Sequence, residues 1–285
     1  MLELLWLSIA LMLVSLIIRK KNKIAEIMCG AAWILFGFYW ITLIPHYYEI
    51  GDYVNIVLIT LLVLFCLLLV IFASRSYRNS IRNPSKHHDF KKVEKKMNIF
   101  FDLTKLIVIV CLIYLPFKVV EPLNHFLIET VAVQTTFLLN MLGYAAFHQA
   151  YDEIIYKNAH VTIILACTAI ESITLFIGLV LAARSDKINR KVLALVFTVP
   201  AIYILNLLRN VFVVVAYGDM WFGANSFEIA HHYIAKIGSG VALVVLSYIT
   251  LKLLPELADM ILQLYDLVVE EIQSFLKMGK SKKES

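Results

Sequence analysis

Seven stretches of this chain are long and apolar enough to cross a lipid bilayer, and clusters of Lys and Arg fill every other gap between them. A helix spanning the hydrocarbon layer needs about 20 mainly apolar residues. The candidates fall at 2–18, 25–45, 53–73, 103–120, 160–183, 191–217 and 229–251. Hydrophobic residues make up 61% of the 285 and charged residues 16%, whereas roughly a quarter of the residues of a soluble domain are charged. The expectation is an all-α, polytopic integral membrane bundle of about seven to eight transmembrane helices.

Orientation follows from the basic residues, because loops rich in Lys and Arg stay in the cytoplasm. Arg19, Lys20, Lys21 and Lys23 follow the first apolar run instead of preceding it, so that run reads as a retained span with the N-terminus outside and not as a signal peptide. RSYRNSIRNPSKHHDFKKVEKK (75–96), RSDKINRK (184–191) and the KMGKSKK tail belong inside. PHYYEIGDY (45–53) and YGDMWFGANSFE (217–228) carry no Lys or Arg, and 121–159 carries only Lys157, so these face outward. The net charge of +5 is thus a matter of topology, and nucleic acid is not an expected partner. Four parts follow: three spans in 1–74, a basic cytoplasmic linker at 75–102, a core at 103–255 with an outer segment at 121–160, and an amphipathic cytoplasmic helix with a basic tail at 256–285. Within the outer segment, FLIETVAVQTTFLLNMLGYAAF suggests a re-entrant or interfacial piece, with an eighth span as the alternative. ELADMILQLYDLVVEEIQSFLK repeats apolar residues at helical spacing between acidic ones.

Polar residues inside spans narrow the function. Cys29, Cys66 and Cys111 sit in apolar surroundings without CxxC or metal spacing, so no disulfide framework, metal or cofactor is expected. The stretch LACTAIESITLF (165–176) instead puts Cys167 and Glu171 one helical turn apart. Counting 1.5 Å per residue, Cys167 lies roughly 10 Å below the outer edge and Arg209 about 27 Å above the inner one. His231 and His232 open the last span, so three consecutive spans bring sulfur, guanidinium and imidazole to one outer layer. Each has a plain alternative: Cys167 as filler, Arg209 snorkelling to headgroups, the histidines as interfacial residues. Together they suffice for acyl transfer. A buried thiol needs activation, His can take and return a proton, and the fixed positive fork of Arg can stabilise a thiolate or an oxyanion. Asn206 and Asn210 flank Arg209 and suggest a polar pocket. Glu171 is assigned support, either protonated or partnered by a span-six group such as Tyr203, Asn206 or Arg209, and Ser172 and Thr174 are expected to bond back to helix carbonyls or neighbouring helices.

ACTAIES (166–172), NLLRNVFV (206–213) and IAHHYIAKIGS (229–239) resemble the three signature blocks of the archaeosortase/exosortase family, and within it the archaeosortase A branch. The resemblance covers about 160–255; the spans before it match only in being hydrophobic. It implies a membrane cysteine protease or transpeptidase acting on exported, membrane-anchored proteins that end in a short motif, a transmembrane helix and a basic tail. In that branch the motif is Pro-Gly-Phe, substrates include surface-layer glycoproteins, and a membrane lipid is the implied acceptor. The family's nucleophile falls on Cys167, its conserved Arg on Arg209, and its third residue on His231, with His232 in reserve. Two other classes stay open: a transporter or channel using Glu171, Arg209 and His231 as a polar pathway, and a non-catalytic scaffold.

Overall fold

The computed structural model describes residues 2–19, 23–49, 51–82 and 87–281. Lys20 and Lys21 of the first basic cluster, residues 83–86 of the basic stretch and residues 282–285 of the tail lie outside the described residues. Among the described residues five segments are long and apolar enough to cross a membrane: Lys23–Glu49, Tyr53–Arg75, Lys96–Val119, Ile188–Gly218 and Gly223–Leu253. The helices Leu2–Ile17 and Ile170–Ala182 are apolar but shorter. The chain is a polytopic helical membrane protein, and it divides into two compact units, Met1–Val108 with Ala258–Ser285, and Ile109–Leu257.

The first unit holds α1 (Leu2–Ile17), α2 (Lys23–Ile41), the short α3 (Ile44–Glu49), α4 (Tyr53–Arg82), the first part of α5 (His87–Val119), and most of the last helix, Pro255–Ser281. Small residues let the first helices approach closely, the usual route to helix association in lipid. A side chain on Gly37 would meet the Cβ of Cys66 at 3.3 Å, and Ser8 Oγ donates to the Ala32 carbonyl at 2.9 Å. Trp33 is buried and satisfies its indole by donating to Thr104 Oγ1 at 3.0 Å. The expected linker at 75–102 is helical on both sides, since α4 continues through Arg82 and α5 starts at His87. Lys, Arg and Glu are good helix formers, and once clear of lipid they extend the spans. The C-terminal helix buries Leu257, Met260 and Leu267. Its acidic residues pair with basic ones of this unit: Arg75 Nη1 donates to Glu271 Oε2 at 2.7 Å, and Lys96 pairs with Glu270.

The second unit contains α6 (Glu121–Met141), strands β1 (Ala146–Gln149), β2 (Glu153–Tyr156) and β3 (Ala159–Thr162), α7 (Ile170–Ala182), α8 (Ile188–Gly218), α9 (Ser226–Glu228) and α10 (Ala235–Leu253); the helix Pro255–Ser281 is α11. The segment 121–160 is therefore a helix followed by a small antiparallel sheet of order β1-β2-β3. In the β2–β3 hairpin Tyr156 pairs with Ala159 across a two-residue turn whose Lys157 has φ 53°. β3 alternates buried and outward residues, with Ala159 and Val161 turned inward.

The span expected at 160–183 is corrected here. Strand β3 occupies its start, a 3-10 turn covers Leu165–Thr168, and only Ile170–Ala182 is α-helix, roughly 20 Å long and short of a bilayer core. Cys167 thus precedes the helix instead of sharing a face with Glu171. Ala169, at φ 62° and ψ 3°, turns the chain from the 3-10 turn into α7. That left-handed geometry costs a residue with a Cβ of the order of 1–3 kcal/mol and persists only where surrounding contacts impose it.

Candidate active site

The contacts that impose it come from α8. The Nδ2 of Asn206 donates to the Cys167 carbonyl at 2.7 Å, and the Nδ2 of Asn210 donates to the same oxygen at 3.1 Å. A carbonyl has two lone pairs, and both are taken. Had the helix continued through Cys167, that oxygen would have received the Glu171 N–H; two side-chain amides replace the helical bond, and α7 starts afresh with Ile173 N–H donating to Ala169 O at 3.0 Å. On its other flank the turn is held by Cys167 N–H donating to Ile164 O at 2.8 Å and Thr168 Oγ1 donating to Leu165 O at 2.7 Å. Cys167 is 8% exposed and belongs to a buried cluster with Ile163, Leu207 and Val211.

Arg209 comes from the α8 turn that carries the two asparagines, about 60° around the helix from Asn206. It lines a cavity of about 390 Å³ together with Ala166 of the Cys167 turn and Ala169 just after it, and with Glu171, Ser172 and Asn206. Its Nε is buried and has no hydrogen-bond partner among the described residues. Glu171 does not pair with Tyr203, Asn206 or Arg209 as expected. Its Oε1 accepts from the Tyr114 hydroxyl at 3.1 Å, Tyr203 donates to Gln134 at 2.7 Å, and Asn206 is committed to Cys167. Thr174 bonds back to the Glu171 carbonyl at 3.0 Å, the helix-internal arrangement expected for it.

His231 and His232 lie in a π-helical turn, Ile229–Ile234, that packs on α8. Such turns inside α-helices recur at functional sites. His231 stacks on Phe227 with centroids 5.2 Å apart and planes 12° from parallel, and its Nδ1 is buried with no hydrogen-bond partner among the described residues. His232 faces outward and meets His231 edge-on at 4.8 Å. The structure therefore joins Cys167 to Asn206 and Asn210, sets Arg209 in one cavity with Glu171 and Asn206, and puts the His231 turn against α8. Neither Cys167 nor His231 is in the cavity wall itself. Among the described residues no three His, Cys, Asp or Glu side chains gather as a metal site.

The sequence model of the transmembrane exosortase family matches residues 3–250. The chain belongs to that family. The match reaches well into the N-terminal spans, which the sequence blocks alone leave uncovered. Archaeosortase A of Haloferax volcanii is 26% identical over 277 residues, covering 85% of this chain and 85% of that protein. Archaeosortase A of Natronomonas pharaonis is 26% identical over 288 residues, covering 90% of this chain and 84% of that protein. No solved structure matches.

Two residues that join this candidate site are not singled out by the sequence. Tyr114 is one more aromatic in the run LIYLPF, although a hydroxyl in lipid calls for a partner. Phe227 is one of several aromatics in the loop between α8 and α10. The sheet is not singled out either, and it steadies the turn from outside: β3 leads into Cys167 through Ile163, whose N–H donates to Asp152 O at 2.7 Å. The sheet is in turn fastened to the end of α8, where Asp219 Oδ1 accepts from Tyr156 at 3.0 Å and from Lys157. Gly218 makes the closeness possible, since a Cβ there would stand 2.2 Å from the Tyr156 ring.

This latch predicts a pH profile. The Lys157 hydrogen bond holds the Asp219 carboxyl below its ordinary range, and Asp219 raises the Lys157 amine above its own. A lowered carboxyl contributes stability that is complete above its unfolded value near 4 and lost as pH falls through the folded one; a raised amine contributes below about 10.4 and loses it as pH climbs through its folded value. The sheet should stay fastened across the whole neutral range. Limited proteolysis of the 146–162 sheet in detergent, followed against pH, should open at a higher pH on the acid side in Lys157→Met than in the wild type. Coincident acid limbs would remove the latch.

Proposed function

We propose that this exosortase is a membrane-embedded cysteine transpeptidase that cleaves the C-terminal sorting signal of exported proteins through a Cys167 thioester. The thiol proton passes to His231 as sulfur attacks the scissile carbonyl carbon, and Arg209 balances the resulting oxyanion. The carbon–nitrogen bond breaks, the leaving amine takes the proton from His231, and a thioester on Cys167 remains. An acceptor amine of a membrane lipid, or water, attacks the thioester and gives its proton to His231; the carbon–sulfur bond breaks, His231 returns the proton to sulfur, and the Cys167 thiol is restored with release of the new amide or acid. His232 is the reserve for His231. Asn206 and Asn210 act by holding the nucleophile's backbone, and Glu171 supports from the cavity wall.

One observation carries this reading: a single turn of α8 both fixes the Cys167 carbonyl with two amides and turns Arg209 into the cavity beside it. Holding reacting groups in such a frame can account for several kcal/mol of barrier reduction. The orientation proposed from the basic loops puts this site at the extracytoplasmic face, with the N-terminus outside and the C-terminus in the cytoplasm. There a substrate anchored by its own C-terminal helix presents its cleavage motif. The experiment is capture. Purified protein incubated with a sorting-signal substrate and quenched in acid is expected to carry a hydroxylamine-sensitive adduct on the peptide containing Cys167. An adduct on another cysteine, or on none while cleavage proceeds, would end the proposal.

A further inference from the structure

The cavity beside Cys167 has two different halves. Along α8 and α10 the wall changes character: Asn206, Arg209 and Ser239 lie toward one end with Leu208 and Phe212, and Ile202, Leu243 and Leu246 toward the other, while α7 adds Glu171 and Ser172. Ile202 and Phe212, at its two ends on α8, are ten residues apart, roughly 15 Å along the axis. The far side is α10, which contributes Ala235, Gly238, Ser239 and Ala242, small residues repeating at three and four on one face. A Cβ built on Gly238 meets nothing within 4 Å, so that face is open. Leu205, Leu208 and Ile234 at the rim are 42%, 50% and 41% exposed, which leaves the groove open sideways to lipid.

These features select what can lie in it. In the apolar half no side chain can satisfy a peptide N–H or carbonyl, and each such group left unpaired in lipid costs several kcal/mol. An extended chain is excluded there, and a helix, whose backbone is satisfied internally, is admitted. Small residues on α10 allow its axis to approach closely. In the polar half the reverse holds: carboxylate, hydroxyl, amide and guanidinium groups can serve an unwound backbone, and the buried Arg209 Nε has its donor unspent. We propose that the groove seats the substrate chain at the point where its extended stem becomes its membrane-spanning helix, with the stem among the polar groups and the first turns of the helix against Gly238 and Ala242. The proposal rests on the acyl-transfer reading above and adds where the substrate's own helix docks: on the α10 face, across the groove from α8. It also gives a reason for cleavage close to the membrane: the extended-to-helical junction fixes how far the scissile bond stands from the first helical turn.

Two measurements decide it. Gly238→Leu, which fills the open face, is expected to lower processing of a full-length membrane-anchored substrate at least tenfold, with yield and thermal midpoint read alongside. In a Cys167→Ala background, Ala242→Cys should form disulfides with single cysteines walked along the substrate's helix, strongest at positions spaced three to four residues apart just beyond the cleavage motif. The second measurement holds even where Gly238→Leu compromises folding. Wild-type processing by a folded Gly238→Leu protein, or cross-links from Ala242→Cys without helical spacing, would overturn the docking site; so would a photoreactive lipid as the groove's exclusive occupant with substrate present. A Cys167→Ala protein that still cleaves would instead overturn the catalytic reading, and the cross-link pattern would remain a separate result.

Discussion

Cys167→Ala is expected to reduce processing of a sorting-signal substrate by on the order of 10⁴-fold or more, because no other group near the Arg209 cavity offers a nucleophile of comparable reactivity. The other three thiols, Cys29, Cys66 and Cys111, lie in helices α2, α4 and α5. The protein should still fold, with the small stability cost of a buried sulfur removed. The two asparagines hold the backbone carbonyl of residue 167, not its sulfur, so alanine keeps both hydrogen bonds. Removing a buried sulfur from the cluster with Leu207 and Val211 costs some thermal stability whatever its role, so the rate per folded molecule is what separates a nucleophile from a packing residue. Cleavage by the alanine protein within tenfold of wild type, with yields matched, would leave the thioester without a carrier.

Much of the architecture can be read from where apolar runs and basic clusters fall. α2, α4, α8 and α10 each declare themselves by twenty or so mainly apolar residues, and α11 by acidic residues set between apolar ones. The site is legible more thinly, since a sequence lists polar residues in spans without saying what each one bonds. The break before α7 shows why. ACTAIES reads as continuous helix in isolation, and the break depends on Asn206 and Asn210, some forty residues away, taking the carbonyl that a helix would have used. Glu171 fails in the same way, its hydrogen bond coming from Tyr114 on α5 and not from α8. The sheet is a different miss. EIIY-KN-AHVT has strand alternation on both sides of a two-residue turn, a local signal sufficient for a hairpin, but in a chain this apolar the same residues also pass as the edge of a span. The π-turn at His231 has no local signature at all.

Arg209→Met, nearly isosteric along the stem and uncharged, is expected to lower the rate of the chemical step by about 10²–10³-fold, the range seen when one oxyanion donor is removed, while leaving stability equal or higher. The second half of that expectation follows from the unpartnered Nε. A buried donor without an acceptor carries its desolvation penalty in the resting protein, and apolar replacement removes the penalty together with the group. A residue kept for folding would show the opposite sign. Snorkelling to headgroups would leave both quantities unchanged, because the charge would then act on lipid and not on substrate. Arg209→Lys sharpens the point: it keeps the charge but loses the planar fork, so a role in binding an oxyanion predicts that lysine recovers only part of the rate, whereas a purely electrostatic role predicts nearly all of it. Single-turnover formation of the Cys167 adduct, measured beside thermal unfolding in detergent, reads both quantities on one preparation. A rate within threefold of wild type in Arg209→Met would take Arg209 out of the chemistry and leave the oxyanion to the protonated His231 alone.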